Sequence, residues 1–226
     1  MTLERDHGQS HHVSIRAARE ADLRAIALVH TRAFRGFFLT ALGDRFLRAY
    51  YGLTLTHAGA ILAVAAEDHH ILGFVSGFLQ PDLFYAAIAR CKWRLAVPVA
   101  LGALRHPGTI PRIIHAARHV RGGQAAKAPW QGTAAELASI AVDPVHAGTG
   151  LGRRLLGYFV DAAAEAGADY VYLTTDARDN DSVNAFYARN GFTLVNSFAA
   201  AANRQMNLYA RRTKTESDSN ETCSTF

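Results

Sequence analysis

The stretch Glu136–Gly152, ELASIAVDPVHAGTGLG, decides how this chain reads. Leu137–Val142 is an unbroken apolar run of strand length, and Asp143-Pro144 stops it. Gly148, Gly150 and Gly152 follow at alternate positions, then Arg153 and Arg154, then an amphipathic pattern through Leu155, Leu156, Phe159 and Val160. A strand that passes through a glycine turn into a helix start makes an anion site. Glycines let the backbone approach closely, the first-turn N–H groups have no partners within the helix, and the helix dipole favours negative charge. The ligand group expected here is a phosphate or pyrophosphate. A kinase-type P-loop would need Lys and then Ser or Thr after the last glycine, where this chain has Arg153 and Arg154. A dinucleotide fingerprint would need two residues between the second and third glycines, where Leu151 stands alone.

A second block lies downstream at Asn180–Phe192, NDSVNAFYARNGF. Gly191 suits the left-handed position that ends a helix. The two blocks are separated by the amphipathic helix pattern and by an apolar strand, Tyr170–Thr175. Together, V-x-P followed by GxGxG and then N-x-x-V-x-x-F-Y-x-x-x-G-F resemble the GCN5-related N-acetyltransferase (GNAT) superfamily, with Val183 at a small apolar position. The resemblance covers Glu136–Phe192 and, more weakly, Val13–Leu79. It implies an α/β (α+β) GNAT fold: a central mixed, mostly antiparallel sheet with helices on both faces. It also implies acetyl-coenzyme A as co-substrate, with the glycine turn gripping its pyrophosphate, and a primary amine as acceptor.

The pattern upstream is consistent with that fold. Val13–Ala17 alternates like a strand, Glu20–Arg32 has helical spacing, and Ala33–Gly43 reads as a turn between helices. Asp44 is the expected cap of a helix running to about Thr56. Ala60–Ala66 and Ile71–Leu79 read as a hairpin closed by Glu67–His70. Residues 81–130 form an insert between the third strand and the motif strand, with helices expected over Asp82–Leu104 and Thr109–Arg121. Thr193–Phe198 and Gln205–Tyr209 read as a closing strand pair. The expected organisation is one domain over residues 1–210 and a polar, disordered tail over 211–226.

Composition sets further bounds. The 226 residues are 50% hydrophobic and 19% charged, as expected of a globular protein. The two cysteines, Cys91 and Cys223, give neither a disulfide framework nor a zinc spacing, and the eleven histidines are scattered, so no metal is expected. Met1–His12 has no apolar signal core, and the expected location is cytoplasmic. The net charge of +5 is local: no Asp or Glu stands between Asp82 and Glu136, where eight Lys and Arg residues lie, and the rest of the chain is net acidic. A basic balance of this kind does not point to nucleic acid.

Acetyl transfer needs a neutral amine, a polarised thioester carbonyl and a stabilised leaving thiolate. The resemblance implies Glu136, near the start of the motif strand, as base. A partly buried carboxylate with a raised pKa suits that work, and a solvated strand-end glutamate is the plain alternative. Thr175 holds the place where some relatives carry a second glutamate, with Asp176 a distant substitute. Tyr187 matches the family tyrosine that faces the coenzyme A sulfur as a proton donor; otherwise it is a core aromatic beside Phe186. Asn180 is either a helix cap or also a partner of the pantetheine arm. Amides of Gly148, Thr149, Gly150, Leu151, Gly152 and Arg153 are implied to meet the pyrophosphate. Main chain at Ile140, Ala141 and Val142 is implied to pair with pantetheine. Ala147 departs from the family, which often has Arg or Gln there, and His146 and Arg154 stand nearest to compensate.

The basic insert carries three readings. It covers the acceptor cleft and holds a phosphorylated acceptor such as a nucleotide-linked amino sugar. It rests residues 90–121 on an anionic membrane, with Trp93, Leu95 and Val97 dipping in. Or it packs as a helical hairpin with solvated arginines, its apolar surface leaving room for a homodimer contact. Its apolar run Leu95–Leu104 is too short to span a bilayer, which takes roughly 18–20 residues. Phe34–Phe38 is expected to border the same cleft. The insert, the FRGFFLTALG turn and YLTTD resemble GNAT proteins linked with surface polysaccharide synthesis. Two other classes stay open: a non-catalytic acyl-coenzyme A binding regulator, and a peripheral membrane protein.

Overall fold

Apolar side chains alternate along the strands, and the two sets build two cores. On one side, Ala63, Val75, Leu137, Val171 and Leu173 pack with Leu155, Leu156 and Phe159. On the other, Leu62, Val64, Phe74 and Phe78 pack with Ile26, Leu47 and Tyr51. Period two in a strand puts neighbours on opposite faces, so a sheet covered on both sides needs apolar residues at nearly every position. The strands Ala60–Glu67 and His70–Phe78 meet that need, being buried along almost their whole length.

The computed structural model describes residues 13–90, 131–200 and 204–213. In chain order these hold β1 (Ser14–Ala17), a 3-10 turn (Glu20–Asp22), α1 (Leu23–Ala33), α2 (Phe38–Ala41), α3 (Asp44–Thr56), β2 (Ala60–Glu67), β3 (His70–Phe78), α4 (Pro81–Arg90) and β4 (Ala134–Val142). A second 3-10 turn (Pro144–His146) leads to α5 (Leu151–Glu165), β5 (Tyr170–Asp176), α6 (Asp181–Arg189), β6 (Thr193–Ala200) and β7 (Arg204–Arg212). The seven strands form one sheet in the order β1-β2-β3-β4-β5-β7-β6. Every neighbouring pair is antiparallel except β4–β5. The mixed, mostly antiparallel sheet with helices on both faces is the expected architecture.

Local differences have local causes. Gly43, not Asp44, is the residue before α3: it takes φ 86°, and Asp44 becomes the first helical residue, paired with Arg48 at 2.7 Å. An acidic group in the first turn favours the helix dipole without capping it. The Ala33–Gly43 turn contains α2, a single helical turn. The strand β7 runs to Arg212, past the expected tail boundary at 211, because Arg211 and Arg212 continue the ladder opposite Val171 and Tyr170. The Arg212 guanidinium also lies 5.4 Å from the centre of the Tyr170 ring. Of the insert, α4 is described; the helix expected over Thr109–Arg121, the membrane and lid readings of residues 91–121, and Cys91 and Cys223 lie outside the described residues. Among the described residues no helix is long and apolar enough to cross a membrane, and no three His, Cys, Asp or Glu side chains gather as a metal site.

One close approach ties the sheet to α5. The ring of Phe159 lies against Gly77, where a Cβ would sit 2.5 Å from its Cζ and would also strike the Glu136 backbone. Only glycine leaves that space, and Phe159 is fully buried. Burial of such a ring contributes on the order of 2 kcal/mol.

Candidate active site

The strands β4 and β5 run parallel and pair only over Ala134–Glu136 and Tyr170–Tyr172. Beyond that point they part. The rest of β4 stays paired with β3, and all of β5 stays paired with β7. The ladder between β3 and β4 carries a bulge at Ala138, where the register shifts between Ser76 and Gly77. A bulge bends a strand and adds twist. The edge of β4 facing β5 over Leu137–Val142 is therefore open, and an open edge can accept an added strand.

A cavity of about 1130 Å³ fills the gap. Its walls are Leu137–Val142 of β4, Leu173–Asp176 of β5, the turn His146–Arg153, residues of α6, and His30, Phe34, Phe37 and Leu39. Every residue proposed from sequence for cofactor contact lies on this wall: Ile140, Ala141, Val142, Gly148, Thr149, Gly150, Leu151, Gly152, Arg153 and Asn180. Phe34 and Phe37 border it as the sequence suggested.

The glycine turn has a steric basis. Gly148 and Gly150 take φ 79° and 81°, in the left-handed region where a Cβ is costly. Gly150 immediately precedes α5 and provides no side-chain cap, so the first amides of α5, whose residues line the cavity, have no partner from the preceding side chain. Gly152 is different: a Cβ there would meet Phe186 at an ordinary 3.7 Å. The Thr149 hydroxyl donates to His146 O at 2.7 Å, which fixes the turn. Of the two residues nearest Ala147, His146 is on the wall, and Arg154 is not among the wall residues, its guanidinium donating to Val13 O at 2.7 Å.

Tyr187 is 6% exposed and lines the cavity. Its ring is held by Phe186 at 5.2 Å, Phe192 at 5.7 Å and Tyr209 at 6.3 Å. Burial pushes its phenol well above the usual tyrosine range, so it stays protonated. Asn180 takes the N-cap position of α6 but makes no cap bond; its Nδ2 donates instead to Asp176 O at 3.3 Å. Asn184, which the sequence reading passed over, joins it one turn later. It accepts from the Thr175 hydroxyl at 2.6 Å and donates to Asp176 O at 3.1 Å. The i, i+4 spacing of the two asparagines was the available signal. Asp176 itself accepts from Arg204 through both oxygens, at 2.9 and 2.7 Å.

Glu136 stands where β4 and β5 part, at the last paired position. The cavity wall begins at the next residue, Leu137, and does not include Glu136. The Tyr85 hydroxyl of α4 donates to its carboxylate, 3.3 Å from Oε1 and 3.5 Å from Oε2. Burial raises its pKa from 4.5 to about 7, against the opposing effect of that hydrogen bond. Next to the turn, Asp143 accepts from Val145 N at 3.3 Å and from Arg32 at 2.7 Å.

His30, within the stretch Glu20–Arg32 read from its spacing as a helix, is the other residue that the sequence reading did not single out. It is 3% exposed and lines the cavity. Its Nδ1 lies 2.7 Å from the Tyr51 hydroxyl, and its Nε2 has no hydrogen-bond partner.

The sequence pattern described as "Acetyltransferase (GNAT) family" matches residues 105–192. No curated protein matches the chain. Solved structures share its fold at low identity. A Desulfovibrio desulfuricans protein assigned to the GNAT family aligns with TM-score 0.60 and 19% identity, covering 90% of this chain and 100% of its own. The ribosomal-protein-S18-alanine N-acetyltransferase of Escherichia coli aligns with TM-score 0.55 and 14% identity, over 90% and 96%. The PaiA N-acetyltransferase of Thermoplasma acidophilum, solved in complex with coenzyme A, aligns with TM-score 0.51 and 12% identity, over 89% and 99%. The splayed strand pair and the glycine turn both lie within the residues, 105–192, that match the GNAT acetyltransferase family, and the fold is one that solved GNAT structures share.

Proposed function

We propose that this chain is an acetyl-coenzyme A dependent N-acetyltransferase acting on a primary amine of a small or carrier-linked acceptor, amino sugars included. The observation that carries it is the single cavity in which the open β4 edge, the glycine turn at the start of α5 and Tyr187 all meet. The amides of residues 148–153 hold the pyrophosphate, as a helix N-terminus does with anions. The backbone of Ile140–Val142 aligns the pantetheine arm as an added strand, and Asn180 supports it from the opposite wall.

The acetyl thioester supplies the activated acyl group. Glu136 takes the first proton of the acceptor ammonium, and its raised pKa suits a base near neutrality. Standing behind the wall, it reaches the amine through an intervening water or the Tyr85 hydroxyl. The amine nitrogen then bonds to the carbonyl carbon and the carbon–sulfur bond breaks, its electron pair leaving on sulfur. Tyr187 gives its proton to that thiolate, and the second proton lost by the amine nitrogen restores the phenol.

Release of free thiol from acetyl-coenzyme A with a panel of primary amines tests this. Turnover with at least one amine, sharply reduced in Tyr187→Phe, is the expected result. The position of Glu136 outside the cavity wall favours one rival, a non-catalytic acyl-coenzyme A binding protein. Calorimetric binding of acetyl-coenzyme A with no transfer to any amine would establish that rival.

A further inference from the structure

Resting on the reading that the glycine turn holds the pyrophosphate of coenzyme A, we propose that Arg32 is a positioning residue for that turn: through Asp143 it fixes where the turn begins, and so sets the affinity for coenzyme A. Arg32 stands in the last turn of α1, and Asp143 directly follows β4. Across a separation of 111 residues, Arg32 Nη1 donates to Asp143 Oδ2 at 2.7 Å. The Asp143 side chain is only 8% exposed, so this pair is largely withdrawn from water on the carboxylate side. Neither residue is on the cavity wall, so an effect of Arg32 on the ligand must pass through the turn. Asp143 is bonded on every side. Its Oδ1 accepts Val145 N at 3.3 Å, its carbonyl accepts His146 N at 2.8 Å, and its own amide donates to Leu72 O at 2.7 Å. The Thr149 hydroxyl in turn donates to His146 O at 2.7 Å. Hydrogen bonds thus run from α1 through Asp143 to the middle of the glycine turn.

Packing does not hold the turn at its glycines. Among the described residues, no heavy atom stands within 4 Å of where a Cβ would be at Gly148 or Gly150. The stretch is therefore fixed from its two ends, by the hydrogen bonds at Asp143 and by Leu151, which is 5% exposed in the core beneath α5. Burial pushes the Asp143 carboxyl up, but the Arg32 and Val145 hydrogen bonds more than offset it, so the group is ionised at neutral pH. A buried carboxylate that loses its cationic partner is left uncompensated. It is then driven toward water, and the Val145 bond that shapes the 3-10 turn goes with it. Amides grip an anion only over hydrogen-bond distances, so a small displacement of residues 144–149 loosens the pyrophosphate. The Asp44–Arg48 pair provides a contrast: its side chains are 58% and 43% exposed, and such a pair contributes little.

Calorimetric titration with coenzyme A tests the proposal, with urea unfolding to confirm that each variant is folded. Arg32→Gln should weaken binding about ten-fold. Arg32→Lys, which keeps the charge, should recover part of the loss, and Arg48→Gln should leave Kd unchanged. Because Arg32 acts through Asp143, the effects should not add: Asp143→Asn weakens binding by itself, and Arg32→Gln on top of it changes little more. In turnover, KM for acetyl-coenzyme A should rise in Arg32→Gln with kcat nearly unchanged. An unaltered Kd in Arg32→Gln, or a full ten-fold loss repeated in the Asp143→Asn background, would overturn the role of Arg32 and leave the reading of the turn intact. Should Arg32→Gln fail to fold, Arg32→Lys and Asp143→Asn give the same readout, and wild-type Kd values in both would overturn the proposal. Wild-type protein that binds no coenzyme A would overturn the reading of the turn, and this proposal with it.

Discussion

The substitution Glu136→Gln separates proton binding from packing. In the folded protein, burial raises the Glu136 pKa from 4.5 to about 7. Between those values the folded state holds a proton that the unfolded chain has released, so stability falls as pH rises through this window. Below about 4.5 both states are protonated and the penalty is absent; above about 7 it is complete. At about 1.4 kcal/mol per pH unit, the window gives an upper bound of roughly 3 kcal/mol, and partial exposure of the residue reduces it to roughly 2 kcal/mol. A glutamine stays neutral and still accepts the Tyr85 hydroxyl. The variant should therefore match wild type near pH 4.5 and exceed it in stability by roughly 2 kcal/mol at pH 8. Urea unfolding of both proteins across that range measures it. The difference between the curves is the quantity to read, because other groups titrate in the opposite sense. Arg16 holds Asp22 below the usual carboxylate range, and at Asp143 the Arg32 and Val145 hydrogen bonds outweigh burial, so these two lose stability as pH falls. Parallel curves for variant and wild type would refute the claim that Glu136 sits in a desolvated site. If Glu136 is also the base, kcat/KM should rise through about pH 7 in wild type, and the variant should lose that rise along with about a hundred-fold in rate.

The same geometry makes three other expectations concrete. Tyr187→Phe should lower kcat by roughly 10²–10³ with little change in KM for acetyl-coenzyme A; an unchanged kcat would remove the phenol from the chemistry. Gly150→Ala places a Cβ at φ 81° in open space, so its cost is backbone strain of about 1 kcal/mol, read by thermal unfolding. Calorimetry on the same variant should show coenzyme A binding weakened about ten-fold, and an unaltered Kd would place the pyrophosphate elsewhere. Gly77→Ala should destabilise by roughly 2 kcal/mol or more in urea, since Phe159 and the Glu136 backbone would both have to move; a neutral effect would show that β3 and α5 are not packed this tightly.

The sequence alone determined what short-range physics controls. Alternation marked β2 and β3 as buried strands, helical spacing marked α1, α3 and α5, and the glycines at 148 and 150 announced a turn that side chains with a Cβ resist. Pattern similarity then pointed to Tyr187 and Asn180, and both lie on the cavity wall. Tertiary structure decided what depends on distant partners. Glu136 meets Tyr85 across 51 residues, Arg204 pairs with Asp176 across 28, and His30 finds Tyr51 across 21. None of these pairings leaves a period or a spacing to read, because each is set by how separate elements pack. The cleft follows the same rule: residues 137–142 look like any buried strand, and only the loss of pairing between β4 and β5 beyond Glu136 and Tyr172 turns them into the wall of a binding site. A strand's side-chain pattern encodes which faces are dry, but the partner of its backbone edge is chosen by the whole sheet.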